Sequence, residues 1–178
     1  MKKKLIFAVL TVLIIVALLC SACVRKGKNS GILSFCDSIS DAKSATQVIT
    51  VKDSGNELAK ETRNYNFVTG KVSIERKTLN DSSSDELYTT ETETKDITGT
   101  PTVKLTRDLL NDITETEISL KATVKGANLI EVFGIQSNDV QGDVKIELVA
   151  QGEHIVSITV NYTSASGNAV EIVTTYVY

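Results

Sequence analysis

Aromatic residues are scarce in this sequence: it contains no tryptophan, and phenylalanine and tyrosine together make up 5% of its 178 residues. Sugar-binding sites usually stack their ligand on aromatic side chains, so this scarcity argues against a carbohydrate-binding function. Proline is scarcer still, because Pro101 is the single one. It lies in the segment Gly-Thr-Pro-Thr of residues 99–102, which we expect to be the longest connection between elements.

The residues that most often carry catalysis or bind transition metals are also few. His154 is the single histidine, and it follows the turn-forming residues Gln-Gly-Glu of 151–153, so we expect it at the surface. A zinc site needs three or four ligands, and beyond residue 23 the sequence offers only Cys36 and His154. In any Ser/His/Asp or Cys/His set the one histidine would have to serve, and nothing in the sequence marks a nucleophile or its elbow. We therefore predict that the protein is not an enzyme and holds no metal or other cofactor.

Basic residues are in the minority, with 19 lysines and arginines against 22 acidic residues. Removal of the first 22 residues would leave 19 − 3 = 16 basic residues and a net charge of 16 − 22 = −6. An acidic balance argues against nucleic acid as a partner. Arg25, Lys26 and Lys28 are a local exception, and they either attract anionic lipid headgroups or form a solvated basic linker.

A long apolar run is present near the N-terminus. Lys2, Lys3 and Lys4 precede the run from Leu5 to Leu19, and small residues follow it. This is the arrangement of a secretory signal, with a positive region, an apolar region and a cleavage site. Because the run and its flank approach the roughly 20 residues that span a bilayer, an uncleaved anchor and plain secretion are the alternatives.

The residues Ser21-Ala22-Cys23 resemble the lipobox of bacterial lipoproteins, in which the cysteine after the cleavage site is acylated. The resemblance covers residues 2–23, and Cys20 stands where leucine or valine is usual. It implies a signal peptide over 1–22, lipidation of Cys23 by palmitate-type chains, and anchoring at the outer face of the bacterial cell membrane. Two acyl chains are enough for stable anchoring. Residues 23–30 would then form a tether, which reaches about 25 Å when extended.

Residues 31–178 are predicted to form a single domain that begins with a helix over 31–44. Ile32, Phe35, Cys36 and Ile39 follow the i, i+3, i+4, i+7 spacing of one helix face. With Cys20 removed and Cys23 acylated, Cys36 has no partner for an internal disulfide. We interpret it as a buried core residue, and a reactive or partner-linking thiol is the alternative.

After this helix the apolar period changes to two, which is typical of strands with one buried face. Turn-forming residues separate the runs, and connections this short join antiparallel neighbours. A second short helix is predicted over 128–135, and residues 105–110 are a loop or one helical turn. The predicted strands are 46–53, 57–68, 71–79, 86–96, 114–124, 142–150, 154–163 and 168–177.

These elements predict an α+β fold: a long, curved antiparallel meander of about eight strands, with the two helices packed on one face. The whole domain resembles the half-barrel lipoproteins of the LolA and LppX type. It also resembles uncharacterised lipoproteins of Gram-positive bacteria whose last strand ends in a tyrosine-rich run, here 174–178. In the half-barrel families the concave sheet face holds lipid, which implies a carrier, but no ligand-binding residue can be assigned.

Two acidic segments are further candidates. Asp81, Asp85 and Glu86 lie in a serine-rich loop that could hold Ca²⁺, although the EF-hand spacing is absent and a solvated turn explains them. Glu91 and Glu93 alternate with threonines on a strand that is polar on both faces, which predicts an edge strand paired with the charged strand before it. The hairpin 71–96 is therefore a candidate protein-contact surface.

The sequence thus predicts a membrane-anchored, extracytoplasmic and noncatalytic lipoprotein that acts as an interaction or binding module. Its partners would be the membrane, through the N-terminal lipid, and an envelope protein or an apolar ligand. The alternative is a carrier of lipid or another apolar ligand on the concave sheet face, lined by Ile118, Leu120, Ile146 and Ile158.

Overall fold

The computed structural model describes residues 31–80, 87–98, 102–124 and 139–178. The predicted signal peptide, Cys23, the tether, the acidic loop, Pro101 and the predicted second helix at 128–135 lie outside these residues. An N-terminal 3₁₀ helix spans Gly31–Asp41, and a single 3₁₀ turn spans Arg107–Leu109. The strands are β1 (Ser44–Asp53), β2 (Asn56–Asn66), β3 (Lys71–Leu79), β4 (Tyr88–Asp96), β5 (Leu110–Glu115), β6 (Ser119–Val124), β7 (Val140–Gln151), β8 (His154–Ser164) and β9 (Ala169–Val177).

The strands form one open, antiparallel sheet in the order β4-β3-β2-β1-β9-β8-β7-β6-β5. Two meanders, β1 to β4 and β5 to β9, are joined where the first strand pairs with the last. Ser44 lies opposite Val177 in this central pair, and Lys52 lies opposite Ala169. The strands at the two edges, β4 and β5, are therefore consecutive in the chain although they lie farthest apart in the sheet.

The antiparallel meander is confirmed, but the α+β class is corrected, because the described residues form a largely β fold with nine strands. Residues 114–124, predicted as one strand, form the end of β5 and all of β6. Thr116 separates them, because its Oγ1 accepts hydrogen bonds from the backbone N–H of Ser119 at 3.0 Å and of Ile118 at 3.4 Å. A side chain that satisfies two amides in this way favours a turn over a continuous ladder.

Buried apolar side chains occupy one face of the sheet, which we call the inner face. The alternating residues of β6 to β9 supply most of them, as the period-two pattern predicted. Leu105 joins them from the connection between β4 and β5. The most deeply buried side chains in this core are Leu33, Ile39, Ile49, Leu120, Val144, Leu148 and Ile155.

The N-terminal helix packs against β7 and β8 on the inner face. Its buried side chains are Ile32, Leu33, Cys36 and Ile39. Phe35, which was placed on the same helix face as Ile32, Cys36 and Ile39, is half-buried and packs against the core. The helix ends three residues earlier than expected. In the described parts of the chain, no helix is long and apolar enough to cross a membrane.

The helix has 3₁₀ rather than α geometry, and its serines follow the same three-residue spacing. The hydroxyls of Ser34, Ser38 and Ser40 each donate to the carbonyl three residues earlier, at 2.6, 2.6 and 2.8 Å. Serine bonds of this kind compete with the α-helical ladder. An apolar spacing of three and four residues does not by itself distinguish the two kinds of helix.

Glu115 fixes the start of this helix. Its Oε1 accepts the backbone N–H of Ile32 at 2.9 Å, while its Oε2 pairs with Arg107 at 3.2 Å. A carboxylate at this position satisfies one of the free amides of a helix N-terminus. Gly31 has φ +65°, which favours glycine, and a Cβ there would lie 2.0 Å from Glu115 Oε1, so a larger residue would displace the Glu115 carboxylate from the amide of Ile32.

Candidate functional site

The inner face differs along its length. From β9 to β5 its buried side chains are mainly apolar and form one core with the N-terminal helix and Leu105, and we call this part the apolar half. From β1 to β4 it also holds buried apolar side chains, such as Ile49 and Ile74, but a row of polar side chains runs between them, and we call this part the polar half.

Leu120, Ile146 and Ile158, predicted to line an apolar groove, are buried in this core. Ile118 is different, because it lies in the turn before β6 and is 65% exposed. Its expected place on the inner face was wrong.

From β9 towards the edge strand β4, a row of polar side chains crosses the same face. Gln47 Nε2 donates to Thr174 Oγ1 at 3.2 Å, and Arg63 Nη1 donates to Gln47 Oε1 at 3.3 Å. The row continues through two glutamates and ends on the edge strand. We call it the inner-face polar chain, and in spatial order its members are Thr174, Gln47, Arg63, Glu61, Arg76, Glu93 and Lys95.

Glu61 is the centre of this chain and is fully buried, with an exposure of 0%. The strand register places it between Ile49 of β1 and Arg76 of β3. Its Oε1 accepts the Nε–H of Arg63, and its Oε2 accepts the Nε–H of Arg76 at 2.6 Å. Each oxygen therefore pairs with a different guanidinium. A buried carboxylate needs this compensation, because an unpaired charge in the core is costly.

The outer end of the chain is a second carboxylate, Glu93 of β4. Arg76 Nη1 lies 2.5 Å from Glu93 Oε1, and Lys95 Nζ lies 3.1 Å from Glu93 Oε2. The Arg76 contact is an ion pair rather than an aligned hydrogen bond. The Lys95 contact is the main cause of a lowered pKa of Glu93, and Arg76 contributes to it. Burial alone would lower the pKa of Arg76, but its contacts with Glu93 and Glu61 outweigh that effect and raise it.

Two guanidinium nitrogens of the chain have no hydrogen-bond partner among the described residues. They are Nη2 of Arg63 and Nη2 of Arg76. The side chain of Arg63 is 7% exposed and that of Arg76 13% exposed, so neither nitrogen is on the open surface. An unsatisfied buried donor costs about 1–3 kcal/mol. The site therefore keeps free hydrogen-bonding capacity inside the fold.

The edge strand β4 borders this polar half. It pairs only with β3 in the described part of the sheet, through nine consecutive residue pairs. Most of its side chains are exposed. Glu91 and Glu93 lie on the inner face and the threonines on the other, as predicted, and Glu93 pairs with Arg76 of the neighbouring strand. The expected charged edge strand is confirmed.

Cys36 lies in the core of the helix contact and is 5% exposed. Burial raises the pKa of its thiol to about 12, and the charge of Asp37 adds to the shift. A thiol that stays protonated is a poor nucleophile. The interpretation as a buried core residue is confirmed, and the geometry disfavours the reactive alternative.

We expect Cys36 in the native protein to react with iodoacetamide at least about 100-fold more slowly than in urea-unfolded protein, because reaction requires local opening. The rate is measured by mass spectrometry of the peptide that contains residue 36. A Cys36→Ala variant gives the background. Equal rates in the native and the unfolded protein would contradict the buried, protonated thiol.

His154 begins β8 and is exposed, as expected from its turn. Its ring lies against the ring of Tyr178, with centroids 4.3 Å apart and an interplanar angle of 33°. Tyr178 OH donates to the carbonyl of Ile155 at 2.7 Å and lies 3.3 Å from Ser38 Oγ. The histidine thus packs on the C-terminal residue, which is itself bonded to β8 and to the N-terminal helix.

A groove of about 300 Å³ lies on the opposite, outer face of the sheet. It follows one row of the strand register, from Lys145 of β7 through Asn161 and Glu171 to Thr50 of β1. Lys52 and Asp143 also line it. These side chains carry both signs of charge at the surface. Across residues 31–80, 87–98, 102–124 and 139–178, no group of three or more His, Cys, Asp or Glu side chains is arranged to hold a metal ion.

Sequence reasoning missed Glu61 and Arg63, although the signal was present. In the alternation of β2, these two residues fall on the same face as Ala59 and Tyr65, and each has an apolar neighbour across the sheet, Ile49 of β1 for Glu61 and Ile74 of β3 for Arg63. A charged pair at inward-facing strand positions indicates a buried polar cluster, because such positions normally hold apolar residues. Arg76 and Glu93 were assigned to ordinary cross-strand pairing, which they do form.

Comparisons with known proteins give only distant likenesses. No family model matches the chain, and no curated protein matches it. A redesigned β-barrel, mFAP1, bound to DFHBI has 11% sequence identity and a TM-score of 0.26, over 80% of this chain and 98% of that chain. A bifunctional dehydratase-cyclase domain in ambruticin biosynthesis has 8% identity and a TM-score of 0.25, over 95% and 88%. A fusion DH domain has 11% identity and a TM-score of 0.24, over 81% and 75%.

Proposed function

We propose that this protein is a lipid-anchored, extracytoplasmic and noncatalytic binding module. Support for the anchor comes from the sequence, where the lipobox-like residues end at Cys23. The described domain begins at Gly31, so a tether of only a few residues would separate it from the acylated cysteine. The domain would then stay within about 25 Å of the membrane surface.

The observation that carries the binding role is the inner-face polar chain. It places two buried guanidinium nitrogens, which have no hydrogen-bond partner among the described residues, near an exposed edge strand. Its acids are held in ion pairs with arginine or lysine, an arrangement that does not suit proton transfer. Cys36 is buried and protonated, and His154 packs on Tyr178. These features support recognition of a ligand or partner in preference to catalysis.

The alternative proposal is a carrier of lipid or another apolar ligand on the concave sheet face. It would require free apolar volume on the inner face, but the N-terminal helix and Leu105 pack on the apolar half of that face. We therefore place it second. Stoichiometric lipid retained through detergent-free purification, and seen by native mass spectrometry, would favour it.

Cys23→Ala should abolish acylation. In a bacterial expression host supplied with an alkyne-bearing fatty acid, we expect the chain without substitutions to take up the label and to fractionate with membranes. The variant should lose the label to background, because no cysteine remains at the first position after the cleavage site. Cys20→Ala is the matched control and should keep the label.

The same experiment separates the three readings of the N-terminus. An unlabelled chain that remains in the membrane, with or without Cys23, would indicate an uncleaved anchor and contradict the lipoprotein. An unlabelled chain that is released into the medium or the periplasm would indicate plain secretion. Intact mass of the purified chain checks the cleavage position directly.

A further inference from the structure

Each arginine of the inner-face polar chain has one guanidinium nitrogen without a hydrogen-bond partner among the described residues. A guanidinium carries five N–H groups. In Arg63, Nε and Nη1 are bonded to Glu61 and Gln47, and Nη2 remains. In Arg76, Nε is bonded to Glu61 and Nη1 contacts Glu93, and again Nη2 remains. Because one carboxylate accepts both Nε–H groups, the two guanidinium groups lie close together.

The ionic groups of this chain carry one net positive charge. Arg63, Arg76 and Lys95 contribute three positive charges, and Glu61 and Glu93 contribute two negative charges, with Glu93 shared between Arg76 and Lys95. A single negative charge would neutralise the excess. A dianion such as phosphate would face repulsion from Glu61 and Glu93. A carboxylate is a planar monoanion that can accept from two guanidinium groups at once.

The surroundings restrict what else could occupy these donors. Arg63 lies between Gln47 of β1 and Ile74 of β3 in the strand register, and Ile74 is buried. Gln47 already uses both of its polar atoms, on Arg63 and Thr174. No further carboxylate of the described residues reaches either Nη2. An acid supplied from outside the described residues would therefore complete the hydrogen bonding of the site.

We propose that Arg63 and Arg76 bind the carboxylate group of a small organic anion on the inner face of β2 and β3. This inference rests on the proposed binding function and names the chemical class of its ligand. The ligand enters beside the edge strand β4, and its carboxylate lies next to that of Glu61. Glu61 holds the two guanidinium groups in place and does not itself contact the ligand through a hydrogen bond, because it has no donor when ionised.

The test uses the full-length acylated chain in detergent micelles, with ¹⁵N-labelled arginine. Sodium acetate is the probe. It replaces sodium chloride stepwise, so that the ionic strength stays constant. The Nε–H signals of Arg63 and Arg76 should shift and saturate as acetate replaces chloride. Arg107 is the internal control, because it is 52% exposed and pairs with Glu115 outside the site. Equal, unsaturating shifts of all arginine signals would overturn the proposal.

A pair of charge-neutral double variants gives a second measurement. Glu61→Gln with Arg63→Gln removes one free guanidinium and one carboxylate, and it should weaken acetate binding at least about tenfold, which is about 1.4 kcal/mol. Glu75→Gln with Lys77→Gln removes an exposed ion pair on the outer face of β3 and should leave binding unchanged. If the first double variant does not fold, the arginine signals of the unmodified chain still decide the question.

The remaining outcomes are also decisive. Shifts produced by inorganic phosphate at lower concentration than acetate would overturn the assignment to a carboxylate. If the chain is acylated but its arginine signals do not shift with acetate, the carboxylate site is overturned and the proposed anchor stands. If the chain binds acetate but carries no fatty acid, the carboxylate site stands and the proposed lipoprotein is overturned.

Discussion

Replacing Glu61 by alanine should lower the free energy of unfolding by about 3–5 kcal/mol, because it leaves the buried side chains of Arg63 and Arg76 without their shared counter-charge. Small domains have total stabilities of about 5–15 kcal/mol, so the variant should be marginally folded. Urea unfolding followed by far-ultraviolet circular dichroism measures the change. The slope against urea should stay the same if the folded state is otherwise unchanged.

Glu75→Ala is the control for this prediction. Glu75 pairs with Lys77 at 3.1 Å, and both side chains are nearly half-exposed. Exposed pairs contribute about 0–1 kcal/mol, so its loss should be small. A Glu61→Ala variant as stable as Glu75→Ala would contradict the buried ion pairs. A triple variant with Leu at 61 and Met at 63 and 76 should recover most of the loss, since apolar side chains often replace buried ion pairs without cost.

Leu33→Ala should lower the free energy of unfolding by about 2–5 kcal/mol, because Leu33 is 1% exposed where the N-terminal helix packs on the sheet. For a domain of this size, each kcal/mol lowers the melting temperature by roughly 2–4 °C. Differential scanning calorimetry and urea unfolding measure both quantities. The substitution leaves a cavity between the helix and the sheet. The loss of stability should be large because the hydrogen-bonded strands cannot easily move in to fill it.

Val68→Ala is the matched control, since it also shortens an aliphatic side chain but at a position that is 76% exposed in the turn between β2 and β3. A surface change of this kind should stay within about 0.5 kcal/mol. A loss below about 1 kcal/mol for Leu33→Ala would mean that the helix does not close the apolar half of the inner face. That result would favour the alternative proposal of a carrier of an apolar ligand.

Most of the sheet could be predicted from the sequence because its strands alternate strictly. Leu148 and Val160 stand in runs where every second residue is apolar, and such runs are hard to read as helix. Strand β5 was missed because its alternation is weak: Asn111 and Asp112 interrupt it, and Asp112 adopts φ +50° at an irregular pairing. A short, bulged edge strand leaves little periodic signal.

The order of the strands could not be predicted in the same way. Local patterns specify which residues face the core, but the pairing of β1 with β9 joins segments at opposite ends of the chain. No local turn fixes such a contact. The polar site was missed for a related reason, since Glu61 and Arg76 meet only after β2 and β3 pair in this register. Each residue taken alone is an ordinary surface charge.

The central position of β1 and β9 also has a consequence for how the chain acquires its structure. Residues 44 and 177 pair across a sequence separation of 177 − 44 = 133 residues, and contacts of such separation slow folding. When the chain is synthesised from its N-terminus, the hairpins of β1 to β4 can form early. The edge of β1 that pairs with β9 then stays unpaired until β9 has been made. That edge carries unpaired amides and is open to mispairing with another chain in the interval. Loss of a few C-terminal residues should therefore damage the middle of the sheet rather than its margin.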